Sequence, residues 1–235
     1  MKKKSVLFIC FIGVFALGMY CFNQHKNQLL KVEISNDYMV ADTLNSANNN
    51  ATYIVKGQFT SYDREWNMHR DDNDLTKEHP YEKITGKIYT FKINDVFKGD
   101  VDGSDISINL KYSTRLFFNE DGLLHGEEIS NKKNVEHIDY KETVYTEPEL
   151  NQEYILYLNY DKNFSLYYAA FQPYMIKVDQ NQLSIQSRFI NDDTIAVNTY
   201  QTKNRKIEVK ETLEVVNDFV KDISLKEFID KLEHN

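Results

Sequence analysis

The sequence predicts a mainly β protein: an antiparallel β-barrel flanked by terminal helices and preceded by an N-terminal hydrophobic helix. Apolar and polar residues alternate with a period of two in a series of segments between residues 51 and 200. Near the C-terminus the apolar spacing becomes helical, and an uncharged apolar segment opens the chain. A run of strands enclosed by helices is best accommodated by a capped barrel.

The N-terminus carries an export signal. Three lysines, Lys2–Lys4, precede the uncharged and mostly apolar segment Ser5–Phe22. A positive segment ahead of an apolar one stays on the cytoplasmic side while the following chain crosses the membrane. We therefore expect the protein to be extracytoplasmic, either anchored in the cytoplasmic membrane through residues 5–22 or secreted.

Three fates of this hydrophobic segment remain open. It is long enough to stay in the membrane as an anchor helix. Ala16-Leu17-Gly18 is a small-x-small site at which a signal peptide could be cleaved. Cys21 could carry a lipid, although Met19 and Tyr20 are larger than the residues that usually precede a lipidated cysteine.

Composition and charge limit the possible function. The formal net charge of −8 repels phosphate backbones, so we expect no nucleic-acid partner. Both cysteines, Cys10 and Cys21, lie in the hydrophobic segment, so the exported part has no disulfide, thiol nucleophile or cysteine-bound zinc. An exported protein without disulfides favours a bacterial origin. No cofactor motif is present, and we predict no cofactor.

The predicted domain organisation has three parts. Residues 1–22 form the signal peptide or membrane anchor. Residues 23–50 form a polar tether with a short helix over Met39–Ala47. Residues 51–235 form the barrel domain with its C-terminal helices.

Eight segments of the barrel domain are predicted strands. The strongest is Ile84–Lys98, where Tyr89, Phe91 and Ile93 share one face and the alternation breaks near Asn94-Asp95, which indicates a bulge. The eight segments are Ala51–Tyr62, Ile84–Lys98, Asp105–Tyr112, Glu153–Tyr160, Leu166–Phe171, Tyr174–Val178, Leu183–Ser187 and Thr194–Tyr200. Two polar insertions, Asp63–Tyr81 and Thr114–Leu150, interrupt this pattern, and we expect them to be long functional or mobile loops.

The C-terminal region is predicted to be helical. Ser224-Leu225-Lys226-Glu227 is typical of a capping box ahead of a final helix. Upstream of it, four apolar residues repeat at helical spacing and predict a further helix: Val209, Leu213, Val216 and Val220.

Several of these segments together resemble a known layout. They are Tyr53–Gly57 (YIVKG), Tyr89–Gly99 (YTFKINDVFKG), Tyr154–Leu158 (YILYL) and Ser224–Leu232 (SLKEFIDKL). The layout resembles that of uncharacterised exported proteins of Gram-positive bacteria, which in turn is similar to the OB-like barrel of tissue metalloprotease inhibitors and netrin-like modules. The resemblance implies an OB-like fold over about two-thirds of the exported part.

This resemblance does not carry an activity over to the chain. The animal inhibitors act through an N-terminal cysteine held in a disulfide, and the exported part has no cysteine. Only the fold is therefore expected from the resemblance.

The histidines and acidic runs are weak candidates for metal sites. His69 and His79 lie in one insertion with Asp71, Asp72, Asp74 and Glu78, but their spacing offers neither helical nor hairpin support for shared ligation. The segments Asp71–Asp74 and Asp100–Asp105 lack the glycine and glutamate positions of an EF-hand loop. We therefore predict solvated acidic turns and no metal site.

Catalytic signatures are weak as well, and we predict no catalytic residues. No nucleophile elbow is present. The pairs Glu127-Glu128 and Glu147/Glu149 resemble paired carboxylates for glycoside cleavage, but such pairs are defined by their separation in space.

A cluster of aromatic residues is the strongest binding signal in the sequence. Its members are Tyr154, Tyr157, Tyr160, Tyr167, Tyr168, Phe171 and Tyr174. Tyrosine is enriched at recognition surfaces because its rigid ring is apolar and its hydroxyl is polar. Alternation places Tyr154 and Tyr160 inward with Leu156 and Leu158, so Tyr157 and Tyr167 are the predicted binding residues.

Together these observations favour a non-enzymatic protein-binding module at the cell envelope, whose partner is an envelope or extracellular protein. One alternative is a wall-polymer hydrolase that uses carboxylates of Thr114–Leu150. The other is an immunity-type membrane protein that protects against a secreted toxin.

Overall fold

The computed structural model describes residues 29–35, 38–120, 122–124, 128–131, 134–190 and 195–233. The predicted signal or anchor segment, both cysteines, His25, His125, His234 and Glu127 lie outside these residues. Within the described part of the chain, no helix is long and apolar enough to cross a membrane.

The described chain is mainly β, as predicted. Its strands are β1 (Leu29–Ser35), β2 (Tyr53–Asn67), β3 (Arg70–Asp71), β4 (Asp74–Glu78), β5 (Ile84–Lys98), β6 (Asp105–Phe118), β7 (Leu123–Leu124), β8 (Glu136–Lys141), β9 (Glu153–Asp161), β10 (Leu166–Ala169), β11 (Met175–Asp179), β12 (Gln182–Ile185), β13 (Ile195–Gln201) and β14 (Lys206–Thr212). The helices are α1 (Leu44–Asn50), α2 (Glu128–Asn131) and α3 (Leu225–Glu233), with a 3₁₀ turn at Arg188–Ile190.

Two compact units divide the chain. The first comprises the described residues of Met1–Ile34, Phe117–Ile138 and Val197–Glu211, and the second comprises those of Ser35–Leu116, Asp139–Ala196 and Thr212–Asn235.

A closed ring of five strands organises the second unit. The strand order is β10-β6-β5-β2-β9, and β10 also pairs with β9, so each of the five strands has two neighbours in the ring. The pairing of β10 with β6 is parallel, whereas the other four pairings are antiparallel. Since β11 pairs with β9 and β12 with β11, the sheet continues beyond the ring.

Aromatic side chains from three strands of the ring fill the core. Phe59 of β2 makes edge contacts with Tyr89 and Phe91 of β5 and with Tyr154 of β9, at centroid distances of 4.9–5.7 Å. All four side chains are almost fully buried. Edge-to-face packing of this kind adds to the stabilisation that comes from apolar burial.

The strand β9 is buried on both faces. Leu156 and Leu158 lie in the core as predicted, but Ile155 and Tyr157, which have the opposite phase, are also fully buried. On that second face the Tyr157 ring packs against Phe171 at a centroid distance of 5.2 Å, and its hydroxyl donates to Asn48 Oδ1 of helix α1 at 3.3 Å. Alternation in sequence marks a half-exposed strand, whereas a strand covered on both faces reads as a continuous apolar run.

The first unit contains most of a three-stranded sheet in the order β1-β14-β13. Its buried cation is Arg205, which donates to the carbonyl of Asn119 and pairs with Glu136. The Glu136 carboxylate also accepts hydrogen bonds from Thr202 and Asn204. Burying an arginine requires such partners because an unpaired charge is costly away from water.

Local sequence signals predicted several elements correctly. The bounds of β5 agree with the prediction, and its register with β2 shifts so that Asn94 lies between the paired residues Ile93 and Asp95, which confirms the bulge. The final helix begins after Ser224, whose Oγ accepts a hydrogen bond from Glu227 N at 3.2 Å.

The two insertions are more regular than predicted. Strand β2 continues to Asn67 and is followed by the β3–β4 hairpin, so Asp63–Tyr81 is not a loop. The second insertion, Thr114–Leu150, contains the end of β6, as well as β7, α2 and β8. Polar residues form these strands because strand pairing is made by the backbone and one face remains in water.

Predictions at both ends of the domain were wrong in part. Val209 belongs to strand β14, not to a helix, because Ile207 and Val209 alternate with polar residues and both are fully buried. Leu213 and Val216 follow this strand in non-helical chain. The short helix lies at Leu44–Asn50 rather than Met39–Ala47, since Thr43 caps it by accepting from Ser46 N. The tether segment also contains β1, which was not predicted.

Replacement of Phe91 by alanine should destabilise the protein by about 3–5 kcal/mol, because Phe91 is fully buried and packs against Phe59 at 4.9 Å. Urea denaturation followed by circular dichroism would measure the change. The matched control is Lys92→Ala on the exposed face of the same strand, which should change stability by less than about 0.5 kcal/mol. Equal losses for the two variants would contradict the assignment of the core face.

Candidate functional site

A cavity of about 390 Å³ lies within the second unit. Side chains from β2, β6, β9 and β10, from the segments that follow β2, β9 and β10, and from the segments after β1 and β8 line it. Many of them are aromatic: Tyr38, Trp66, Tyr145, Phe164, Tyr168 and Tyr174. Its volume falls in the range of pockets that hold a small molecule.

Trp66, the only tryptophan of the chain, is placed by the part of β2 that the sequence did not reveal as a strand. Its indole Nε1 donates to Oδ1 of the buried Asn109 on β6 at 2.9 Å. Gly86 on the intervening strand β5 makes this contact possible, because a Cβ there would lie 2.2 Å from Asn109 Oδ1 and 2.7 Å from Trp66 Nε1.

Arg70 of the β3–β4 hairpin covers two aromatic rings of the cavity. Its guanidinium carbon lies 5.4 Å from the Trp66 ring centroid and 5.5 Å from that of Phe164, and these two rings meet edge to face at 5.1 Å. Three hydrogen bonds from Arg70, to the carbonyls of Asn67, Leu75 and Thr76, hold the guanidinium in place. The hairpin is therefore tied to the aromatic wall by cation–π contacts.

Two residues that line the cavity, Tyr38 and Lys111, contact the buried carboxylate of Glu142. Glu142 is 2 % exposed and accepts hydrogen bonds from Tyr38 Oη at 2.8 Å and Thr114 Oγ1 at 2.6 Å. Lys111 Nζ completes the network at 3.1 Å from Glu142 Oε1. Because the positive charge of Lys111 is already paired with the Glu142 carboxylate, it is not available to bind an anion in the cavity.

The lining as a whole is apolar, with a few polar groups. Lys111 and Asp161 are its charged members, and their charges cancel. A surface of this kind recognises an uncharged, aromatic or aliphatic group by burial and orients it with few hydrogen bonds.

The predicted binding residues Tyr157 and Tyr167 do not lie on an exposed face. Tyr157 is fully buried, and burial raises the pKa of its hydroxyl above the usual range. Tyr167 is 9 % exposed and packs between the rings of Tyr53 and Tyr160. The predicted outward orientation of Tyr157 is therefore wrong, while a role of either residue in binding stays a prediction. Tyr168, the next residue, is exposed and lines the cavity.

The Glu147 carboxylate lies at the centre of a second polar cluster. It accepts hydrogen bonds from Tyr89 at 2.5 Å, Tyr145 at 2.6 Å and Lys87 at 2.9 Å. Although desolvation opposes ionisation, these hydrogen bonds lower the pKa of Glu147 from 4.5 to about 2. Burial, aided by the same carboxylate, raises the pKa of both tyrosines above their usual range.

This arrangement does not suit Glu147 to general acid catalysis. A general acid must hold a proton near neutral pH, and this carboxylate is held ionised. Its predicted companion, Glu149, is exposed and accepts two hydrogen bonds from Lys177. Both carboxylates instead fasten the segment after β8 to the sheet.

His69 and His79 meet at the base of the β3–β4 hairpin. His79 N donates to the carbonyl of His69 at 2.9 Å, and the ring centroids are 4.6 Å apart. The hairpin support that the spacing did not reveal is therefore present. His69 Nε2 is 3.3 Å from Glu82 Oε2, and the potential ligand atoms of these three residues lie within 4.8 Å of one another.

The hydrogen bonding of His79 does not suit metal ligation. Its Nδ1 accepts from the backbone N–H groups of Glu82 at 2.9 Å and Tyr81 at 3.4 Å. A neutral imidazole that accepts at Nδ1 carries its proton on Nε2, so neither nitrogen offers a lone pair to a cation. We therefore assign no metal to this cluster.

The acidic runs form turns. Asp71 accepts from Asn73 N, and Asp74 accepts from the backbone N–H and the hydroxyl of Thr76. Such contacts are typical of Asx turns.

Comparison with protein-family models, curated proteins and solved structures finds no match to this chain. The assignment of the site rests on its geometry.

Gly86→Ala should displace Trp66 from Asn109, because the added methyl group has no space between them. We expect a loss of about 1–3 kcal/mol in stability and a changed Trp66 emission spectrum. The control is Gly103→Ala, where no atom lies within 4 Å but φ is +87°. This control should lose stability through backbone strain and keep the emission spectrum unchanged. An unaltered spectrum in Gly86→Ala would contradict the site.

Glu147→Gln should remove stability in a pH-dependent way. The folded pKa of about 2 lies below the reference value of 4.5, so the carboxylate stabilises the fold above about pH 4.5 and loses this effect as the pH falls towards 2. The stability difference between wild type and Glu147→Gln should therefore shrink between about pH 6 and about pH 2.5, measured by urea denaturation. A difference that stays constant over this range would show that Glu147 is not held ionised.

Proposed function

We propose that the chain is a non-enzymatic, extracytoplasmic protein of the bacterial cell envelope that binds a partner protein through the aromatic cavity. The observation that carries the proposal is the cavity itself, where Trp66, Phe164 and Tyr168 surround a space of about 390 Å³. The partner would insert one large apolar side chain, as anchor residues do at protein interfaces.

The strand ring supports an OB-like barrel as the scaffold. In chain order its strands are β2, β5, β6, β9 and β10, and the fifth strand inserts between the third and the fourth. A five-stranded Greek-key ring of this order is typical of the OB fold. In that fold the loops after the first and fourth strands flank the ligand face. Here the corresponding segments contribute Met68 and Phe164 to the cavity.

A side chain fits the cavity better than a charged polymer does. Its lining is mostly apolar, and the charged pair Lys111 and Asp161 sums to zero. The chain as a whole is acidic, with a net charge of −8, which opposes binding of nucleic acid and of anionic wall polymers. A neutral aromatic or aliphatic side chain matches the apolar lining and is not repelled by the negative net charge.

The proposed location follows from the N-terminal sequence. Lys2–Lys4 and Ser5–Phe22 support export with either an anchor or a cleaved signal. A partner is then sought among envelope and extracellular proteins.

Site-specific photo-crosslinking tests this function. A photoreactive phenylalanine analogue replaces Tyr168, at the exposed edge of the cavity, in cells that export the full-length protein. The matched control places the same analogue at Tyr62, which is similarly exposed but does not line the cavity. We expect a crosslinked partner at position 168 and none at position 62.

A second variant shows whether the cavity is responsible. Phe164→Ala removes one aromatic wall and should abolish the crosslink at position 168 while the protein is still exported. Equal crosslinking from both positions, or a crosslink that survives Phe164→Ala, would overturn the proposal.

A further inference from the structure

We propose that His79 is a protonation-dependent latch, which closes the β3–β4 hairpin against the aromatic cavity at neutral pH and releases it in mildly acidic medium.

The latch begins with the acceptor role of His79. Its Nδ1 holds the turn that follows β4 by accepting from Glu82 N at 2.9 Å and Tyr81 N at 3.4 Å. A protonated imidazole has two N–H donors and no acceptor, so both hydrogen bonds are lost on protonation. Histidine is the side chain whose ordinary titration falls between about pH 5 and pH 8.

Three neighbouring residues face His79: His69, Tyr81 and Glu82. The His69 ring lies 4.6 Å away, centroid to centroid, so two charged rings would repel each other. Glu82 faces His69 with its carboxylate and His79 with its backbone N–H, and a carboxylate oxygen of Glu82 also lies within 4.8 Å of a His79 ring nitrogen. This carboxylate would attract a protonated ring, but it does not restore the acceptor that Nδ1 loses. The Tyr81 ring is 6.3 Å from His79. Protonation of His69 alone strengthens its contact with Glu82 and favours the closed hairpin. The release therefore depends on His79.

The hairpin base connects His79 to the cavity. Asn67 is buried and joins the chain that follows β2 to the segment that leads into β5: its side chain accepts from His69 N and Ile84 N and donates to the Glu82 carbonyl. The carbonyl of Asn67 also accepts from Arg70, whose guanidinium lies on the Trp66 and Phe164 rings. Loss of the hydrogen bonds that His79 accepts weakens the hold on Glu82. Since Asn67 is hydrogen-bonded both to the Glu82 carbonyl and to Arg70, the position of Arg70 then becomes less fixed.

Trp66 reports the state of the latch without any ligand. Because it is the only tryptophan, its emission reads the Arg70–Phe164 environment directly. The full-length protein in detergent is titrated from about pH 8 to about pH 5, the range in which histidine changes its charge. We expect a red shift of the emission with a midpoint inside this range, while the far-ultraviolet circular dichroism stays constant.

His79→Asn is the decisive variant. Asparagine Oδ1 occupies the position of imidazole Nδ1 and can accept the same backbone hydrogen bonds, but it does not titrate. This variant should keep the neutral-pH emission of the wild type at every pH in the range. The matched control is His137→Asn, a histidine of the first unit, which should retain the wild-type transition.

The outcomes separate the latch from the proposed function. Absence of a transition in the wild type, or its persistence in His79→Asn, overturns the latch. The effect on partner capture rests on the proposed function, and it predicts a crosslink at Tyr168 that weakens at acidic pH in the wild type and not in His79→Asn. Loss of that crosslink at every pH would count against the proposed function and leave the fluorescence result unaffected.

Discussion

Two residue pairs, Tyr167 with Ile108 and Tyr168 with Asn109, join β10 to β6 in parallel and close the ring of five strands. Closure places β10 beside β6, so that the exposed Tyr168 and the buried Asn109 contribute to one wall. It also removes two sheet edges, which would otherwise be free to pair with other chains. The aromatic core and the cavity both depend on this short pairing, because each is built from strands that only the closed ring brings together.

Local sequence signals correctly predicted those elements whose formation depends on residues within the same segment. The alternation in Ile84–Lys98, with its break at Asn94, identified β5 and its bulge because side-chain phase is a property of a single strand. The Ser224 cap was recognisable for the same reason, since the capping contact spans three residues. Residues 63–67 of β2 gave no such signal, because they are mostly polar and their extended form depends on pairing with β5.

The candidate site was beyond local reasoning. Trp66 and Asn109 are 43 positions apart and become neighbours only through the register of β2, β5 and β6. Tyr157 was predicted to face outward because alternation assumes that one face of the strand is in water, yet Phe171 and Asn48 of helix α1 contact Tyr157 on that face. The spacing of apolar residues around Val209 is compatible with both a helix and a strand, because the segment is short. The segment is a strand because β14 pairs with β1 and β13 in the three-stranded sheet. The single feature of the sequence that could have indicated this site is Trp66, the only tryptophan of the chain, which lies in a polar segment.

Closure of the ring by β10 and β6 is tested most directly by nuclear Overhauser contacts between the backbone protons of these two strands. A closed ring predicts contacts in parallel register that link Tyr167 with Ile108 and Tyr168 with Asn109, together with slow amide exchange at these positions. A β10 strand that shows contacts to β9 alone, with rapidly exchanging amides on its other edge, would contradict the closed ring and the cavity built on it.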